Sequence, residues 1–67
     1  MRWESETRWY EASVYRDLFN LVVVQRWGGK SNQRHGELIS PVESMVDANK
    51  ILDRIELRRQ LRGYTRM

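Results

Sequence analysis

Cysteine is absent from this 67-residue sequence, and proline occurs only once, as Pro41. The lack of cysteine excludes disulfides, thiolate metal sites and cysteine nucleophiles, and it fits a reducing compartment. The longest apolar run covers residues 21–24, far short of the roughly 20 residues that span a bilayer. The first residues are charged and lack the apolar stretch of a signal peptide. We therefore expect a cytoplasmic protein with no membrane partner.

Histidine is equally scarce, since His35 is the only one and has no carboxylate or nucleophile near it in sequence. Acid–base or nucleophilic catalysis needs at least a matched pair of such groups. Residues 28–31 resemble the end of a phosphate-binding loop, but the upstream glycine and the spacing of that motif are missing. The carboxylates of residues 43–56 alternate with cations, which favours a solvated helix face over a metal site. We expect no enzymatic activity, no metal and no cofactor.

The chain has room for a single domain, and its charges are unevenly distributed. The net charge is +3, and two segments, 26–36 and 57–67, contain cations but no acid. Such segments predict an anionic partner. An alternative is that cations near a helix C-terminus only complement the helix dipole. The basic residues concerned are Arg26, Lys30, Arg34, Arg58, Arg59, Arg62 and Arg66.

Two segments have the character of β-strands. Residues 8–16 alternate and are rich in aromatic side chains, with Tyr10, Ala12 and Val14 on the face expected to be buried. Residues 21–27 include three consecutive valines and are apolar on both faces, which predicts a strand inside the sheet. We expect a flexible segment at 1–7, a turn at 17–20, a loop at 28–36 and a short third strand at 37–39.

A long helix should follow. Ser40 has the character of an N-cap, Pro41 suits the first helical position, and Glu43 would complete a capping box. The helix should run to about Arg62, where Gly63 can end it in a left-handed conformation.

The apolar residues of this helix fall into two sets. One stripe should pack on the sheet, and it consists of Met45, Ala48, Ile51, Leu52 and Ile55. Val46, Leu57 and Leu61 point away from that stripe and would cover the rim of the sheet or contact a partner. With a final strand or edge from Tyr64 onward, the fold class is α+β: an antiparallel sheet of three to four strands packed by one long C-terminal helix, in a domain covering residues 8–67.

Trp27 is the strongest candidate for ligand contact. It ends a strand immediately before two glycines, where an aromatic ring can stack on a base or sugar. Arg26, Lys30 and Arg34 lie near it in sequence and would reach phosphates. The structural alternative is that Trp27 is a large core residue and that the glycines form a turn.

The order of several motifs resembles the WGR domain family, particularly its bacterial members. The resemblance covers about residues 8–66. It is carried by Tyr10, Val14, the Asp-Leu-Phe of residues 17–19, the Val-Val-Val-Gln-Arg-Trp-Gly run of residues 22–28, the capped helix and the Arg-Gly-Tyr of residues 62–64.

This resemblance implies a function. In the WGR domains of poly(ADP-ribose) polymerases, an antiparallel sheet with one long helix binds DNA ends, and the signature tryptophan packs on a backbone sugar. Trp27 matches that tryptophan, whereas Gly29 stands where the family has its signature arginine. We therefore expect a nucleic-acid-binding module, with DNA preferred over RNA, that uses Trp27 and the basic residues 26, 30, 34, 58, 59 and 62. The alternative is a protein-interaction module or homodimer that contacts its partner through Val46, Leu57 and Leu61.

Overall fold

The computed structural model describes residues 1–18, 20–31 and 34–67. Within these residues all strand pairings are antiparallel, and the strands lie in the order β4-β3-β2-β1-β5. One helix packs on the sheet, so the predicted α+β class is confirmed, with five strands instead of three to four. The elements are β1 (Arg2–Glu4), β2 (Arg8–Arg16), β3 (Leu21–Gly29), β4 (His35–Val42), α1 (Met45–Leu61) and β5 (Thr65–Arg66).

The two long strands β2 and β3 both lie inside the sheet, as predicted for β3. They pair along their whole length, with Tyr10 opposite Trp27 and Val14 opposite Val23. Successive side chains of a strand point to opposite faces, so each strand contributes to two surfaces. We call the surface under α1 the helix face and the other surface the open face. Ala12 and Val23 are fully buried on the helix face.

The N-terminal segment differs from the sequence-based expectation of a flexible stretch at 1–7. Residues Arg2–Glu4 form β1, which pairs with both β2 and β5. Trp3 is fully buried and forms the core with Ala12 and Ile55. A domain of this size has few large residues for its core, so the indole of Trp3 supplies a substantial share of the buried apolar surface.

The connection between β3 and β4 is shorter than the predicted loop at 28–36. Gly28 and Gly29 extend β3, while His35 and Gly36 begin β4, and Gly28 pairs with His35. The strand predicted at residues 37–39 corresponds to β4, which is consequently much longer than predicted. The middle of the predicted loop, at Asn32 and Gln33, and Phe19 of the predicted turn lie outside the described residues.

The helix begins later than predicted, so the assignment of Ser40, Pro41 and Glu43 to a capping box is wrong. Ser40 and Pro41 belong to β4, where they pair with Val23 and Val22. Pro41 is tolerated because β4 is an edge strand, and one side of an edge strand makes no sheet hydrogen bonds. The N-cap is Ser44, whose side-chain oxygen accepts a hydrogen bond from the Asp47 backbone N–H at 3.2 Å.

The end of the helix is as predicted. The last helical residue is Leu61, and Gly63 adopts a left-handed conformation with φ of 83°. Ala48 and Ile55 of the predicted stripe are buried, whereas Met45 at the beginning of the helix is largely exposed. Among the described residues, no helix is long and apolar enough to cross a membrane.

We predict that Ser44→Ala lowers the free energy of unfolding by about 1 kcal/mol, because the Asp47 N–H loses its side-chain acceptor. Ser40→Ala, which removes a hydroxyl from a strand residue, should have a clearly smaller effect. Urea unfolding followed by circular dichroism measures both. A larger loss for Ser40→Ala than for Ser44→Ala would contradict the assigned helix start.

Candidate nucleic-acid interface

Trp27 lies near the end of β3 on the helix face and is 37% exposed. Its ring stacks on Tyr10, with centroids 5.8 Å apart and an interplanar angle of 13°. The indole also covers Gly36 of β4, since a Cβ added there would stand 2.4 Å from the ring. Trp27 is therefore neither a fully buried core residue nor a freely rotating surface residue. It is a fixed aromatic surface that is partly open to solvent.

Trp9 has an equivalent arrangement on the open face at the same end of the sheet. Its ring covers Gly28 of β3, where an added Cβ would lie 2.9 Å from the indole. The guanidinium of Arg2 lies 5.2 Å from the centroid of Trp9. Each indole thus lies over a glycine of the neighbouring strand, which explains why glycine occupies positions 28 and 36.

Arg59 of α1 connects the helix to this aromatic group. Its guanidinium carbon lies 4.3 Å from the ring centroid of Tyr10 and 5.1 Å from that of Tyr64. Such cation–π contacts hold the long side chain in one position. The Tyr10 hydroxyl donates a hydrogen bond to Gln25, and burial raises the pKa of Tyr10 although the positive charges of Arg59 and Arg58 oppose this shift.

Together these residues border an open groove at the end of the sheet. The groove consists of two cavities. The larger of the two, which we call the main cavity, has a volume of about 530 Å³, and the second, of about 410 Å³, shares Arg8, Arg59 and Tyr64 with it. We call the two together the strand-end groove. None of its described lining residues is acidic. They are Ser5, Thr7, Arg8, Trp9, Tyr10, Trp27, Gly28, Gly29, Arg34, His35, Arg59, Arg62 and Tyr64.

The structure brings four of the seven residues selected from the sequence to this groove. Trp27, Arg34 and Arg59 line the main cavity, and Arg62 lines the second one. Arg58 borders a separate depression between α1 and the sheet, beside Leu38.

The other two selected cations lie elsewhere and are engaged by carboxylates. Arg26 is on the open face, where its Nε lies 2.7 Å from Glu37, and this hydrogen bond raises the pKa of Arg26. The Nζ of Lys30 lies 2.8 Å from Oε1 of Glu4. Lys30 together with Arg2 lowers the pKa of the Glu4 carboxyl.

Sequence reasoning missed several members of the groove. Arg8 and Tyr64 come from opposite ends of the chain. They meet only because the strands pair and because α1 packs across the sheet and ends next to β2. A second missed feature is a row of cations at intervals of four along α1, which is readable from the sequence because residues four apart neighbour each other on a helix. The row consists of Lys50, Arg54, Arg58 and Arg62, the last of which caps the helix.

His35, the single histidine of the sequence, also lines the groove. Within the described part of the chain, no three His, Cys, Asp or Glu residues come together to hold a metal ion.

Comparisons with models of known protein families, with curated proteins and with solved structures give no match.

We predict that Gly36→Ala displaces the Trp27 indole, because the new methyl group would overlap the ring. The free energy of unfolding should fall by about 1–3 kcal/mol, as expected for overpacking. Indole NMR shifts and urea unfolding report the two effects.

A double-mutant cycle provides the control. In a Trp27→Ala background the overlap is gone, so Gly36→Ala should cost little there. An equal cost in both backgrounds would show that Gly36 is not required for seating the indole.

Proposed function

We propose that this chain is a non-catalytic module that binds nucleic acid, principally the backbone and end of DNA, in the strand-end groove. The observation that carries the proposal is the convergence of aromatic rings and arginines in a groove whose described lining contains no acid. Arginines provide phosphate contacts, and exposed aromatic rings provide stacking surfaces for bases or sugars.

Trp27 is the residue to which we assign stacking. Its ring is held by Tyr10 and Gly36, so little conformational freedom is lost when a ligand covers the exposed part. Stacking on such a surface contributes on the order of 1–3 kcal/mol per base. The position at the end of the strand favours a terminal base or sugar over a base pair inside a duplex.

The arginines of the groove are assigned to phosphates. Arg8, Arg34, Arg59 and Arg62 come from β2, the β3–β4 connection and the end of α1. Contacts of this kind position a nucleic acid without reading its sequence. We accordingly expect weak sequence preference and a strong dependence on salt.

The resemblance to WGR domains supports the same assignment for Trp27. The family's signature arginine is replaced by Gly29, but the register places Arg8 directly opposite Gly29 on the neighbouring strand. Arg8 borders both cavities of the groove. We propose that Arg8 supplies from β2 the positive charge that Gly29 does not provide from β3.

Trp27→Ala should weaken binding of a short duplex with a free end by about fivefold to a hundredfold, the equivalent of one lost stacking contact. Fluorescence anisotropy of labelled DNA at low salt measures the affinity. Tyr15→Ala is the matched control, because Tyr15 is an exposed aromatic residue at the far end of β2. Equal affinities for wild type and Trp27→Ala would overturn the assignment of Trp27.

The salt dependence tests the arginines separately. Four phosphate contacts predict that the affinity falls by about a hundredfold when the salt concentration rises fourfold. Arg8→Gln and Arg62→Gln should each reduce the logarithmic salt slope by about one. Arg26→Gln removes the same charge from the open face, where Arg26 is paired with Glu37, and should leave the slope nearly unchanged. The reverse pattern would place the nucleic acid on the open face.

A further inference from the structure

The open face of the sheet has an apolar region that no helix or strand of the described chain covers. Two rows of side chains cross it in register. One row runs from Ile39 through Val24 to Ser13, and the next runs from Pro41 through Val22 to Tyr15. Ile39 is 54% exposed, and Tyr15 and Pro41 are exposed as well.

Beside this apolar region lies a row of four charges of alternating sign. Arg2 pairs in register with Glu11, Glu11 with Arg26, and Arg26 with Glu37, across β1, β2, β3 and β4. Ion pairs connect Arg2 to Glu11 and Arg26 to Glu37. These side chains remain about 40–50% exposed, so each can still interact with a further charge.

The order of these charges is complementary to itself. Consider a two-fold axis that lies between two sheets packed face to face, runs parallel to the strands and passes over the gap between β2 and β3. Rotation about this axis reverses the order of the charges in the second copy relative to the first. Arg2 then faces Glu37 of the other copy, and Glu11 faces Arg26. The same rotation brings the two apolar regions together. We propose that the open face is the interface of a symmetric homodimer, formed by packing the sheets of two copies face to face.

The available area is sufficient for such a contact. The molecule is a plate with extents of 37 × 24 × 14 Å, and the open face is one of its two broad sides. Strands lie about 4.8 Å apart and rise about 3.3 Å per residue, so the three residues of β1, nine each of β2 and β3, and eight of β4 give a face of about 460 Å². Two copies would together bury about 900 Å², which corresponds to a weak interface near the lower size limit. Aligned packing of this kind is common between sheets.

The charge pattern favours a second copy over nucleic acid as the occupant of this face. The row has two cations and two acids and therefore no net charge, in contrast to the strand-end groove. The proposed dimer can be tested separately from the proposed nucleic-acid binding, because Trp27 and Arg59 of the groove lie on the helix face and the charge row lies on the open face. Trp9, next to Arg2, is the groove residue that adjoins the charge row.

Sedimentation equilibrium tests the dimer with variants of the charge row. The wild-type mass should rise from about one to about two chain masses as the concentration approaches about 1 mM, because an interface of this size is weak. Exchanging one pair, Arg26→Glu with Glu37→Arg, keeps the net charge but makes every facing pair repulsive, so the dimer should be lost. Adding Arg2→Glu and Glu11→Arg inverts the whole row, restores complementarity and should restore the dimer.

Apolar substitutions provide a second test that does not depend on the charges. Ile39→Glu should weaken the dimer tenfold or more. Leu57→Glu is matched to it, because Leu57 is 59% exposed on the outer side of α1. It should leave the dimer intact. Circular dichroism verifies that the variants fold.

Three results would overturn the proposal. They are a wild-type monomer at the highest concentration, a dimer that persists after the pair exchange, and a dimer that Leu57→Glu abolishes while Ile39→Glu does not. The last result would identify the outer side of α1, with Val46, Leu57 and Leu61, as the interface.

Discussion

Two indole rings at one end of the sheet can lie against it only because the neighbouring strand has a glycine beneath each ring. Trp27 covers Gly36 on the helix face, and Trp9 covers Gly28 on the open face. Any larger residue at either glycine would overlap an indole. The seated Trp27 in turn stacks on Tyr10, whose ring is also contacted by Arg59. The shape of the strand-end groove follows from this chain of contacts.

The same sheet separates its charges between its surfaces. The described lining of the strand-end groove contains arginines and no acid, whereas the cations described on the open face are paired with carboxylates. This separation depends on the register, because neighbouring residues of a strand point to opposite faces. Arg26 and Trp27 are adjacent in sequence, yet one belongs to the neutral charge row and the other to the basic groove. A modest net charge of +3 therefore coexists with a local concentration of positive charge.

Much of the fold could be predicted from local patterns, and the site only in part. Alternation identified β2, the valine run identified β3, and Gly63 marked the end of α1. The start of the helix was mispredicted because two serines are each followed three residues later by an acid, Ser40 by Glu43 and Ser44 by Asp47. Ser40 is not the N-cap because it pairs with Val23 in the sheet, and a partner so distant in sequence is not visible in a local motif.

β1 was missed for a related reason. Three residues are too few to show alternation, and Trp3 is buried by pairing with Tyr10, seven residues away, and with Arg66, 63 residues away in sequence. Arg8 joins the groove by the same long-range register, so no short motif around it indicates a ligand.

The measurement that tests the central claim most directly is a titration of ¹⁵N-labelled protein with a short DNA duplex, followed by amide and indole NMR shifts. We predict that the Trp27 indole and the amides of Arg8, Gly29 and Arg62 shift, and that added salt reverses the shifts. Unchanged spectra at millimolar DNA in low salt, or shifts confined to the open face, would contradict nucleic-acid binding in the strand-end groove.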